Sequence, residues 1–406
     1  MHFEHSPTCQ DYLARMKRFM QEHVYPIEQQ VYDDIHAMNP DGNWRQWTVH
    51  PAMEDLKHKA RNAGLWNLFL PDETVGAGLS CLEYAPLAEE TGKVLFAPEI
   101  FNCNAPDTGN MEVLYHFGNE EQKAKWLTPL LNGDIRSVFG MTEPDVASSD
   151  ATNMAATIEE QGDELVINGK KWWTTGLGHP NAKVCIFMGL SNPDNHKHQQ
   201  HSMVIVPLDT KGISIKRMLS AYGDYDAPFG HGEMHFNNVR VPKANLLVGM
   251  GQGFAIAQGR LGPGRIHHCM RAIGMAEKAL ELAINRGLSR VAFGQPLLKL
   301  GGNGERIAKA RMAIDQARLM TLHAAWKIDA VGVKNAMTEI SAIKVVVPNM
   351  LQEVVDMAIQ IHGGAGMSAD FPLARFAAGA RALRLADGPD EVHMGMVTRL
   401  ELKKYQ

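Results

Sequence analysis

The stretch FGMTEPDVASSDA (139–151), followed by a hairpin-like pair of apolar runs and then by INGKKWWTTG (167–176), decides how this chain is read. The first piece is a turn dense in hydroxyls and main-chain donors: Thr142, Pro144, Ser148, Ser149 and Asp150. The second places Trp172 and Trp173 beside Thr174 and Thr175, directly before Gly176. A broad aromatic surface next to hydroxyls and open backbone suits a flat, polar-edged heterocycle better than a metal or a lone phosphate. The same pattern equally suits a β-domain core in which two tryptophans simply pack. The rest of the chain has to separate the two.

Outward from that stretch, 135–247 reads as short β-rich runs: AATIEE, ELVING, VCIFMGL, SMVIVPL, ISIKRM and EMHFNNVRVP. Turn sequences QGD, SNPDNHKHQQH and DTKG separate them, which predicts a small antiparallel barrel or sandwich. No G-x-G-x-x-G follows a strand, so a dinucleotide-binding βαβ unit is not supported. Before it, 1–134 reads as helical. Leu13, Met16, Phe19, Met20 and Val24 recur at helical spacing after the capping run Ser6, Pro7 and Thr8, and Pro26 limits that helix. LEYAPLAEETGKV opens a further helix, FNCNAPDTGN reads as a polar turn, and NEEQKAKWLTPLLNG as a short helix stopped by Gly133.

After the β-segment, within 248–406, long helices return from Gly253 to the end. IHHCMRAIGMAEKALELAIN carries Ile266, Met270, Ile273, Ala276, Leu280 and Ala283 on one face. A heptad-like seam follows: Ile307, Ala310, Ile314, Ala317, Thr321, Ala324, Ile328 and Val331. A further helix over 337–362 is expected to kink or shift near Pro348. The fold class is therefore α+β: an N-terminal helical domain (1–134), a middle β-barrel or sandwich domain (135–247) and a C-terminal four-helix bundle (248–406).

Composition narrows the function. The 406 residues are 45% hydrophobic and 21% charged, with a net charge of −5, which argues against a general nucleic-acid grip. Five scattered cysteines without a CxxC pair favour reduced thiols in a cytoplasmic or mitochondrial-matrix-like compartment. No signal or transit pattern opens the sequence, and no apolar run is long enough to span a membrane. His196, His198 and His201 lie in a polar inter-strand loop with no acidic or cysteine partner, so no metal site is expected there.

The order helix–β–helix, with MTEPDVASSD and KWWTTG in the middle, resembles the acyl-CoA dehydrogenase family. Further landmarks are FNNVRVPKANLL, SRVAFGQPL, QIHGGAGM and RLADGPDEVH. The tail is similar to the subgroup of family members ten and eleven, where ADGPDEVH stands in place of the usual YEGT. The resemblance implies FAD as cofactor, an acyl-CoA substrate, and removal of an α-proton with transfer of a β-hydride to flavin N5 to give a trans-2-enoyl-CoA. It implies an electron-transfer flavoprotein as acceptor and a homodimer or homotetramer. A 4-hydroxyacyl-CoA is a further substrate that the subgroup suggests. A flavin oxidase or monooxygenase on the same scaffold, or a non-catalytic assembly protein, is the alternative.

By the same resemblance, Asp387 stands where the catalytic glutamate would be, and Gly388 beside it meets the substrate. Asp390 and Glu391 are neighbouring carboxylates, and Asp-Gly at this point also makes an ordinary turn. GRLGPGRIHH (259–268) contains no carboxylate, which removes the competing base position on the first long C-terminal helix. Arg265 matches a residue that contacts the CoA ester; its plain reading is an exposed charge at a helix start, where His267 and His268 read as packing or CoA-edge residues. For the flavin, the match carries over Phe139, Met141, Thr142 and Ser149, with Ser149 also touching substrate, and then Trp172, Trp173 and Thr174. Pro389, Asp390 and Glu391 line the cofactor. Arg290 reaches the FAD pyrophosphate of a neighbouring subunit, and Gln360, Ile361, His362, Gly363 and Gly364 close on the adenosine side.

Overall fold

The computed structural model describes residues 4–406. In chain order, helices α1 (Pro7–Phe19), α2 (Glu28–Met38), α3 (Pro51–Asn62), α4 (Cys81–Gly92), α5 (Ala97–Ile100), α6 (Asp107–Phe117), α7 (Glu120–Gln122) and α8 (Thr128–Leu131) precede the sheet. Its strands are β1 (Arg136–Gly140), β2 (Thr157–Gln161), β3 (Glu164–Thr175), β4 (Ala182–Leu190), β5 (His201–Pro207), β6 (Ile213–Leu219) and β7 (His231–Pro242). Then come α9 (Gly253–Ser289), the two-strand hairpin β8 (Val291–Ala292) and β9 (Gln295–Pro296), α10 (Asn303–Val331), α11 (Met337–His362), α12 (Leu373–Leu383) and α13 (Asp390–Leu402). These elements form two compact units. A helical unit takes the chain up to Gln29, Ala60–Phe101 and Gly262–Gln406; a sheet unit takes Gln30–Lys59 and Asn102–Leu261.

In the helical unit, local chemistry sets the helix starts. Ser6 Oγ accepts from Cys9 N at 3.1 Å to cap α1, and Pro7 fills the first helical position, where its missing N–H costs nothing. Ser80 and Glu83 form a reciprocal capping box on α4, and Ser6 Oγ donates to Glu83 Oε1, tying α1 to α4. Where α4 crosses α9, a Cβ at Gly92 or Gly274 would collide with the other helix's main chain, so the two helices meet backbone to backbone. The predicted stripe on α9 is buried from Ile266 to Ala283. On α10, Ala310, Ile314, Ala317, Thr321 and Ala324 form the buried seam, whereas Val331 at its end is exposed.

Helix returns at Gly253, as read from the sequence; one expectation changes, because α9 runs on through Gly262, Pro263 and Gly264, so Arg265, His267 and His268 sit inside a helix rather than at its start. α11 runs from Met337 to His362 with Pro348 buried inside it.

The sheet unit has a seven-stranded sheet in the order β1-β4-β2-β3-β7-β6, with β5 paired to β4. β2 and β3 form the antiparallel hairpin expected from QGD, with Gly162 at positive φ in its turn. The sheet is not wholly antiparallel: β1, which the sequence pattern did not reveal, runs parallel to β4 from Arg136 to Gly140. Its core gathers Val138, Ile158, Leu165, Ile167, Phe187, Val204, Met234, Phe236 and Val239, with Trp47 from the segment before α3 packed against them.

Candidate active site

In the helical unit, Asp387 and Gly388 lie between α12 and α13, both with positive φ (+56° and +104°). A non-glycine residue in that region is strained unless its surroundings hold it. Here they do. Arg265 Nε, from α9, donates to the Asp387 carbonyl at 3.0 Å, and His393 Nε2, from α13, lies 3.2 Å from the same oxygen. Lys344 Nζ, buried on α11, donates to the carbonyls of Leu383 and Gly388. Three groups thus fix the main chain while the Asp387 side chain remains 20% exposed. Its Oδ2 lies 3.6 Å from His268 Nε2, and a Cβ added to Gly264 would come within 3.5 Å of the same oxygen.

Arg265 is 6% exposed in mid-helix, which excludes the plain reading of a surface charge. Burial lowers its pKa and Asp387 opposes that shift. Burial, then Arg265 and Lys344, push His393 down to about 4, so its ring is neutral at pH 7.

Asp390, the nearest alternative base, is buried. Its Oδ2 accepts from Arg384 Nε at 2.8 Å and Asn349 Nδ2 at 3.1 Å. Those partners make it an anchor for the start of α13 rather than a mobile base. Pro389 caps α13, and Glu391 is exposed in its first turn.

At the end of α11, Gly363 has φ +62° and its N–H caps the carbonyls of Ile359 and Gln360, so the glycine does serve as a helix stop. A Cβ at Gly363 or Gly364 would meet nothing within 4 Å, leaving an open backbone face. Ile361 and His362 are buried, Gln360 is exposed, and His362 Nδ1 lies 2.8 Å from the Ala358 carbonyl. Arg290 stands exposed at the base of the β8–β9 hairpin. Phe293 and Gly294 both take positive φ at the hairpin tip, the signature of a tight two-residue turn, which leaves Phe293 95% exposed.

The sheet unit holds the other expected residues together. Phe139 is the next-to-last residue of β1, with the Arg260 guanidinium 3.8 Å from its ring centre. Met141 and Thr142 follow. The Thr142 carbonyl accepts from Trp172 N at 2.9 Å, and the Met141 carbonyl from Lys171 Nζ at 2.8 Å. Ser148 Oγ accepts from Glu143 N at 2.8 Å, which closes the loop, and Ser149 lies exposed beside it. β3 slips register against β7 between Lys171 and Thr174, and within that bulge Trp173 takes φ +50° and is 42% exposed. Thr174 is fully buried, and its Oγ1 has no hydrogen-bond partner.

Sequence reasoning missed the residues that hold these segments. Lys171 is 0% exposed and pairs with Glu143 at 2.6 Å; Glu143 also accepts from Ala155 N and Ala156 N. Lys171 shares the inward parity of Leu165 and Ile167, so a buried lysine needing a carboxylate was visible in ELVINGKK. His268, Lys344, Arg384 and His393 had no such local signal. Among the described residues, no cluster of His, Cys, Asp and Glu is placed to hold a metal ion. Likewise, no described helix is long and apolar enough to cross a membrane.

Helices, a curled sheet and a long-helix bundle, with a carboxylate loop braced at the end of the bundle, define an acyl-CoA dehydrogenase fold. Family models agree: acyl-CoA dehydrogenase N-terminal domain matches 6–134, middle domain 138–239 and C-terminal domain 251–401. The chain belongs to the acyl-CoA dehydrogenase family. It is 53% identical over 405 residues to the Mycobacterium tuberculosis protein named probable acyl-CoA dehydrogenase FadE2, covering 100% of this chain and 98% of that one. It is 53% identical over 403 residues to acyl-CoA dehydrogenase family member 10 of Mus musculus, covering 98% of this chain but 37% of the mouse protein. Against family member 11 of Gallus gallus it spans about half of the relative's length, 51%. A solved Mycobacterium abscessus chain, provisionally named an acyl-CoA dehydrogenase, is 59% identical with a TM-score of 0.96, covering 100% of both chains.

Proposed function

We propose that this chain is an FAD-dependent acyl-CoA dehydrogenase in which Asp387 removes the α-proton of a saturated acyl-CoA to give a trans-2-enoyl-CoA. The observation that carries the reading is the Asp387 loop. Its main chain is held by Arg265 and His393, and its neighbours' carbonyls by Lys344, so that a partly exposed carboxylate is presented from a rigid, strained turn. The residues present suit FAD. Thr174 offers a buried, unpartnered hydroxyl, the Met141–Thr142 main chain is braced by Lys171 and Trp172, and Gly363 and Gly364 leave open backbone. When bound, the flavin supplies the acceptor for the β-hydride.

The chain's own residues divide the remaining work. Asp387 takes the α-proton, and its main-chain N–H, with Arg265 behind the loop, faces the thioester oxygen where enolate charge grows. Phe139, Met141, Thr142, Ser149, Trp172, Trp173 and Thr174 hold the isoalloxazine; Pro389, Asp390 and Glu391 line its approach, and Ser149 and Gly388 touch the acyl thioester. The exposed hairpin carrying Phe293 and Arg290 has the apolar tip and free-standing cation of an arm that enters a neighbouring subunit, which favours a homodimer or homotetramer. Gln360, Ile361, His362, Gly363 and Gly364 take the adenosine side. The acceptor is an electron-transfer flavoprotein, and 4-hydroxyacyl-CoA is included in the substrate range.

The test is anaerobic flavin bleaching by saturated acyl-CoAs of short to long chain, with and without a 4-hydroxyl group, in wild type and Asp387→Asn. Wild type should bleach with some chains, whereas Asp387→Asn should keep its flavin and lose at least ~100-fold in reduction rate. A yellow wild-type protein that no thioester bleaches would overturn the reading, as would near-normal reduction in Asp387→Asn.

A further inference from the structure

Arg271, His268 and Asp387 form a line within the helical unit. Arg271 Nη2 lies 3.1 Å from His268 Nδ1, and His268 Nε2 faces Asp387 Oδ2 at 3.6 Å. A guanidinium has donors only and keeps its proton. His268 Nδ1 must therefore accept, and the ring proton sits on Nε2, the atom that faces the carboxylate. A ring in that tautomer cannot take a proton at Nε2; toward Asp387 it can only donate. The 3.6 Å gap exceeds hydrogen-bond length but lies within ion-pair reach, and catalytic contacts that are long in a ligand-free site often tighten when substrate fills it.

Resting on Asp387 as the base, we propose that His268 is its positioning residue: Arg271 fixes the Nε2–H tautomer, and that N–H aims the Asp387 carboxylate and keeps it ionised. An aspartate reaches one methylene less than the family's usual glutamate, so a donor that selects its rotamer compensates for lost reach. The other groups facing the pair do different work. Arg265 and His393 hold the Asp387 carbonyl, and Lys344 holds those of Leu383 and Gly388. His393 is neutral at pH 7, and burial, then Arg271 and His268, lower His267 to about 3. Burial pushes the Cys269 thiol up to about 12. None of these three titrates between pH 5 and 9.

The experiment is stopped-flow flavin reduction in the FAD-loaded enzyme from pH 5 to 9, using the straight-chain acyl-CoA that bleaches wild type fastest. It compares wild type, His268→Gln, His268→Leu and Arg271→Met, with ¹⁵N-histidine spectra of wild type and Arg271→Met. His268→Leu, which loses the donor, should move the acid limb up by about one pH unit. His268→Gln, whose amide N–H replaces Nε2–H, should restore it. Arg271→Met should add an ionisation near ~6.5 and remove the fixed Nε2–H signature. An unmoved acid limb in His268→Leu, an equal shift in His268→Gln, or an unchanged tautomer in Arg271→Met would each overturn the proposal. Should His268→Leu fail to fold, the Arg271→Met profile and spectra decide the matter. Full activity in Asp387→Asn would instead sink the assignment of the base, a separate result.

Discussion

Replacing Lys171 by methionine tests what holds the flavin-side loop. Lys171 is fully buried, with its ammonium 2.6 Å from Glu143 Oε1 and 2.8 Å from the Met141 carbonyl. Burial pulls its pKa down to about 8 against the pull of Glu143, so it is still charged at pH 7. Lys171→Met leaves the Glu143 carboxylate buried with only the Ala155 and Ala156 amides as donors. Orphaning one member of a buried pair costs ~3–5 kcal/mol. For a unit of this size that is a fall in melting temperature of roughly 6–20 °C. Glu143→Gln/Lys171→Met removes both charges yet keeps an oxygen for the two amides. It should lose only ~1–2 kcal/mol, chiefly the Met141 hydrogen bond. Lys171→Met alone is then ~2–3 kcal/mol worse than the double variant, so the losses at the two sites are not additive. The assay is thermal unfolding of wild type, both single variants and the double variant, with flavin release followed by fluorescence in the same scans. Single variants within about 1 kcal/mol of wild type, or additive losses in the double variant, would refute the reasoning.

Two further predictions concern charge. Burial raises the Glu112 pKa from 4.5 to about 8, with Arg260 opposing the shift, so the native state holds a proton that the unfolded chain has lost. Stability should fall as pH rises from ~5 to 8 and then level off, and Glu112→Gln should gain roughly 1–3 kcal/mol on wild type over that window. Denaturation midpoints at both pH values check this; parallel pH curves would contradict it. For Arg290, in the exposed hairpin, Arg290→Ala should weaken FAD retention in the assembled oligomer by roughly 10–100-fold, the worth of a charge-assisted phosphate contact. Dialysis followed by flavin absorbance measures it, and unchanged retention removes the cross-subunit role.

What the sequence revealed, and what it hid, follows from the range of the interactions concerned. The α9 stripe and most of the α10 seam were legible because helical burial repeats every three or four residues, within the span of a single helix. β1 was not, since a five-residue strand with one half-buried position offers too little alternation to separate from a loop. The return to helix at Gly253 was legible, but beside the Gly262-Pro263-Gly264 run Arg265, His267 and His268 read as a helix start, and that hid the site's second half. With the helix placed from Gly253, Gly264, Arg265, His268 and Arg271 fall at three- and four-residue spacing and share a face. With a helix start placed at 265–268, the same residues scatter across a loop and a frayed turn. Asp387 could be picked out by resemblance, but nothing in ADGPDEVH announces the positive φ that presents its carboxylate. That conformation depends on Arg265, Lys344 and His393, which lie between 6 and 122 positions away along the chain and meet only once α9, α11 and α13 are packed. The chemistry-bearing residue was therefore readable locally, while the groups that strain and aim it were encoded in the packing of three helices.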